Sequence, residues 1–115
     1  MSHAANLLRH KLIENMVIAR EKKLFNSKVV LHNLTDYSKN TLVFIDKMIR
    51  IDSNKLGTIE LTEVGRPDLT IENVILDANF KHLFTKETLD RAQERLDLAS
   101  YFVERKKANV TKETA

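Results

Sequence analysis

Four histidines, at positions 3, 10, 32 and 82, are the side chains best suited to hold a metal in a chain with no cysteine. His10 and Glu14 stand four residues apart, as do His32 and Asp36, so each pair shares one helical face. Each pair could supply two ligands. No H-E-x-x-H or E-x-x-H pattern accompanies them, and the bland reading is of surface or partly buried histidines. No metal or other cofactor is therefore expected. With no cysteine, disulfides, thiolate zinc sites and cysteine nucleophiles are all ruled out.

Phosphate chemistry fares no better. The two glycines, Gly57 and Gly65, are eight residues apart, and neither a P-loop nor a dinucleotide fingerprint can be built from them. No G-x-S-x-G elbow is present. Carboxylates are plentiful, but almost all fall near Lys or Arg at positions that read as solvated helix faces. No catalytic residue is selected, and an enzyme is not expected.

Charge is the next chemical resource. Residues 1–28 hold six Lys/Arg against two Glu, a local charge of +4, while residues 60–84 hold two against five acids, a local charge of −3. Arg9, Lys11, Arg20, Lys22 and Lys23 are the candidate nucleic-acid contacts. Phosphate neutralisation needs several cations on one face. At helical spacing these five scatter over more than one side, so a solvated basic helix is the competing reading. The basic start and acidic middle could also attract each other, within a chain or between chains.

The elements that would position these groups follow from the apolar pattern. Strong breakers are confined to Gly57, Gly65 and Pro67, which predicts two helix-rich arms joined by a linker at 57–67. The fold class predicted is all-α, a bundle of about four helices at 4–25, 28–52, 69–84 and 86–107. In 4–25 an apolar arc runs through Leu8, Leu12, Ile13, Met16, Val17 and Leu24. Leu7, Ile18 and Phe25 project from the opposite side, within ~20° of one another at 100° per residue. A helix apolar on two sides usually has neighbours on two sides, so these three are the candidate protein interface, the alternative being that another helix of the same chain covers them.

Asn26 and Ser27 read as a cap pair between the first two helices. Val30, Leu34, Tyr37, Thr41, Phe44, Met48 and Ile51 then advance in steps of four and three, a heptad-type seam. One continuous helix from residue 4 to about 52 is the alternative. Residues 58–62 alternate in strand fashion, so a short hairpin around 48–62 competes with an extended linker. Residues 69–84 carry apolar groups on two faces and should be central. Ile71, Val74 and Ile75 also permit a strand at 70–76. Thr85 should cap a last helix whose seam is Leu89, Ala92, Leu96, Ala99 and Val103, flanked by Tyr101 and Phe102, with Glu87 placed to pair with Arg91.

Residues 1–108 thus form one helical domain, and 109–115 a polar tail. No apolar run reaches the ~18 residues of a membrane span. Arg9, His10 and Lys11 interrupt any secretory signal, so a cytoplasmic location is expected. The function expected is a non-enzymatic helical interaction or oligomerisation module, self-associating as a dimer or docking on a protein partner. The alternative is an accessory nucleic-acid-binding protein using its basic N-terminal helix.

Overall fold

The computed structural model describes residues 2–114, with side chains through residue 108. All regular structure among these residues is helical, as the apolar periodicities require. The helices are α1 (His3–Glu21), α2 (Lys28–Thr35), α3 (Thr41–Arg50), α4 (Thr58–Glu63), α5 (Ile71–Ile75) and α6 (Lys86–Thr114). Single 3-10 turns at Asn54–Leu56, Pro67–Leu69 and Lys81–Leu83 join them. The tail expected at 109–115 lies outside the residues described in full.

α1 starts where Ser2 accepts a hydrogen bond from the Ala5 amide at 3.2 Å. Its expected arc is correct: Leu8, Leu12 and Met16 are wholly buried. Each contributes about 1.5–3 kcal/mol by leaving water. α6 lays its seam on α4, α5 and α3, and α1 packs on α2 and α5. The helix expected over 69–84 shortens to α5, since the chain turns after Leu76, where the Asp77 carboxylate accepts from the Asn79 amide at 2.8 Å; α5 is still the central element, with Ile71, Val74 and Ile75 buried. The strand considered for 70–76 does not form, because the Thr70 hydroxyl caps a helix by accepting from the Asn73 amide at 3.2 Å.

The segment expected as a linker or hairpin is part of the core. Residues 58–62 form most of α4, and Leu56 and Leu61 are wholly buried. The apparent alternation at 58–62 was one short turn of helix with a single buried face. The second expected helix, 28–52, is broken at 36–40. There the Asp36 carboxylate accepts from the Ser38 hydroxyl at 2.5 Å and amide at 3.1 Å, which holds it below the usual carboxylate range. Asn40 then caps α3 by accepting from the Leu42 and Val43 amides. The break changes the register. Tyr37 and Ile51 of the expected seam are exposed, while Ile45 and Ile49 are wholly buried in their place. Ser27 begins α2, but its buried hydroxyl donates to the Met16 carbonyl at 2.7 Å instead of capping.

Three helices end in one motif. α1, α3 and α4 each place a residue at positive φ two positions past the last helical residue: Lys23, Asp52 and Gly65. The Lys23 amide donates to the Arg20 carbonyl, and that of Leu24 to Ala19. Asp52 and Ser53 repeat the pattern on Ile49 and Met48, as Gly65 and Arg66 do on Thr62 and Leu61. These are Schellman caps, and one of the three uses glycine. Lys23 at φ 57° bears a backbone penalty that glycine would not. Lys23→Gly is therefore expected to raise stability by about 0.5–1 kcal/mol, measured by urea unfolding. A loss of stability would show that the Lys23 side chain makes a compensating contact.

Candidate interaction surface

Two layers make up the site: an ionic cluster, exposed at its rim and buried at Glu72 and Arg95, and an apolar face built over it. The cluster begins with a row on α6. Glu87, Arg91 and Arg95 are spaced by four and so lie along one side of the helix. All three grip the C-terminal end of α3. Glu87 pairs with Arg50 at 3.4 Å, in place of the local pair expected with Arg91. Arg91 reaches the Asp52 carboxylate at 3.1 Å and the Arg50 carbonyl at 3.4 Å. Arg95 donates to the Ser53 carbonyl at 2.6 Å and meets Asp52 at 3.4 Å. Cations at a helix C-terminus are favoured by the helix dipole.

Arg95 also reaches inward. Its Nε donates to Glu72 Oε2 at 2.7 Å, and the Thr58 hydroxyl donates to the same oxygen. The Glu72 side chain is wholly buried, and that of Arg95 is 10% exposed. Glu72 Oε1 is buried with no donor in reach. The cluster ties α3, α4, α5 and α6 together at a single point.

Over it lies a cleft of about 190 Å³, lined by Asp52, Ser53, Thr58, Ile59, Leu98 and Phe102 among others. Ile59 is 46% exposed, Leu98 55%, Tyr101 53% and Phe102 52%. Tyr101 and Phe102 stack edge to face with ring centres 5.9 Å apart. Leu89, Ala92, Leu96, Ala99 and Val103 form the opposite, inward side of α6, as their spacing required. α6 thus has a second, half-exposed apolar side away from its buried seam.

The candidate interface Leu7, Ile18 and Phe25 is not brought together as an open face. Ile18 and Phe25 pack against the core, while Leu7 is exposed and lines a cleft with Lys11, Asp68, Asp77 and Phe80. The reason is the end of α1 at Glu21, which takes Phe25 off the helical register. In sequence, the signal for the exposed apolar side of α6 was Leu98, Tyr101 and Phe102 at offsets of three and four, opposite an alanine-rich seam.

The basic set is likewise divided. Arg9 is 3% exposed, donates to the Thr41 hydroxyl at 2.6 Å and to the Lys39 carbonyl at 2.8 Å, and lies 4.8 Å from the Tyr37 ring centre. It is a structural cation rather than a surface one. Lys11 sits among Asp68 and Asp77. Arg20, Lys22 and Lys23 are exposed near the end of α1, with Arg20 and Lys23 bordering a depression that also holds Glu60. The basic start and acidic middle therefore meet within one chain. Neither His10/Glu14 nor His32/Asp36 gains a third ligand: among the described residues no group of three or more His, Cys, Asp or Glu could hold a metal. Nor is any helix among them long and apolar enough to cross a membrane. No known family model and no solved structure matches the chain.

Proposed function

We propose that this chain is a non-enzymatic helical module for protein–protein interaction, working through the α4–α6 face. The observation that carries this reading is the second apolar side of α6, where Leu98, Tyr101 and Phe102 stand half-exposed beside Ile59. Aromatic and large aliphatic side chains of this kind are what interface centres use. The Arg95 cluster supports the reading in a second way, because it fixes α6 rigidly to the rest of the fold. A fixed helix loses less freedom on docking. The basic residues argue less well for nucleic acid, since Arg9 is buried and Lys11 lies among acids.

A photo-crosslinking residue at position 98 tests this, with one at Val29, also exposed but on α2, as the control. Capture of a protein at 98 and not at 29, in cells expressing the full chain, is the expected result. Equal capture at both positions, or none at 98, would overturn the reading.

A further inference from the structure

We infer that the occupant of this face is a second copy of the chain, seated antiparallel about a two-fold axis that crosses α6 midway between Ser100 and Ala99. The inference rests on the interaction reading above and specifies its partner. On α6, Glu94, Leu98, Tyr101 and Arg105 are spaced four, three and four. At 100° per residue they fall within ~60° of one another, on the side away from the buried seam.

The order of chemistry along that stripe reads acid, aliphatic, aromatic, base, with symmetric spacing. In an antiparallel pair, residues of constant summed number face each other. Glu94 then meets Arg105 of the other copy and Leu98 meets its Tyr101, and the two-fold axis makes each contact twice. A parallel pair would instead set acid on acid and base on base. Complementarity of this sort fixes both partner and direction.

The stripe is accessible for such a contact. Leu98 and Tyr101 are half-exposed, and Glu94 is 65% exposed. Within the chain Glu94 meets Arg91 at a loose 3.6 Å, and Arg105 donates to the Tyr101 hydroxyl at 3.2 Å. Phe102 and Ile59 extend the apolar area on one flank. Residue 91 would face Ala108, small enough to let the helices stay close where the stripe ends.

Sedimentation equilibrium of the purified full chain tests this, from low to high micromolar concentration. The weight-average mass should rise from 13.3 kDa toward twice that value. Leu98→Asp should weaken association about tenfold or more, since an interface anchor is lost twice. Glu94→Arg and Arg105→Glu should each weaken it several-fold, and the two together should return it to within about twofold of the original, because the swap restores opposite charges. Circular dichroism on each variant shows that the fold is kept. A chain that stays at its monomer mass throughout overturns self-pairing. So does a double variant no better than the worse single one. If the monomer nevertheless captures a different protein from position 98, the interaction reading survives and the second-copy inference falls.

Discussion

Arg95→Ala is expected to destabilise the fold by about 3–5 kcal/mol, because it leaves a wholly buried carboxylate without its cation. For a domain of this length the midpoint of thermal unfolding should fall by roughly 10–20 °C. The size follows from the geometry. Glu72 Oε1 has no donor, so compensation for the buried charge comes through Oε2, from Arg95 and Thr58. Removing Arg95 also frees the Ser53 carbonyl and loosens the end of α3. Glu72→Gln should be milder, since the amide carbonyl still accepts from Thr58 and Arg95. Replacing both partners, as Arg95→Met with Glu72→Leu, should recover part of the loss, because no buried charge is then left uncompensated, although the Ser53 carbonyl and the Thr58 hydroxyl still lose their partners. Urea unfolding of the two single variants and the double gives the coupling directly. A cost below about 1 kcal/mol for Arg95→Ala would mean that water reaches Glu72 readily, and that the cluster does not hold α6 in place.

The same cluster shows where sequence reading stops. Each of its members is one charged or polar residue among many, and Glu72 and Arg95 stand 23 positions apart with no periodicity linking them. Long regular seams were legible. Leu8, Leu12 and Met16 on α1, and Ala92, Ala99 and Val103 on α6, are buried because a helix of several turns must repeat its apolar positions to bury them. Thr85 was legible as a cap, and its hydroxyl accepts from the Thr88 amide at 3.3 Å. Boundaries set by side chains over three or four residues were not. Asp36, Ser38 and Asn40 end one helix and start the next, yet the apolar spacing runs across them as though the helix continued.

Counting glycines failed for a related reason. It located Gly65, but the identical caps on α1 and α3 use Lys23 and Asp52 in the left-handed region. Tertiary contacts compensate for at least one of these. Asp52 stays in place because Arg91 and Arg95 both hold its carboxylate. A local rule was broken where a long-range interaction overrode it, and that is also where the fold gathers four helices around one point.

Gly57→Ala should be the second severe change, at about 2–5 kcal/mol. Two effects add. Gly57 sits at φ 76°, where any Cβ costs about 1–2 kcal/mol. A Cβ there would also lie 2.5–2.7 Å from three atoms of the Phe25 ring, well inside contact distance. Relieving that overlap requires Phe25 or the backbone to move, typically at about 1–3 kcal/mol. Gly65→Ala is the internal control. It has nearly the same backbone angle, φ 79°, and nothing within 4 Å of the added atom, so it should show the backbone cost alone. The difference between the two variants therefore isolates the collision with Phe25. In a Phe25→Ala background that difference should shrink, and urea unfolding of the four chains reads it. Equal costs for Gly57→Ala and Gly65→Ala would mean that the ring moves aside freely. The consequence extends to the surface. Gly57 leads directly into Thr58 and Ile59, so a shifted backbone there displaces both the hydroxyl that serves Glu72 and the aliphatic edge of the α4–α6 face. Gly57→Ala should accordingly weaken capture at position 98 even under conditions where the chain remains folded, whereas Gly65→Ala, past the other end of α4 from Ile59, should do so less.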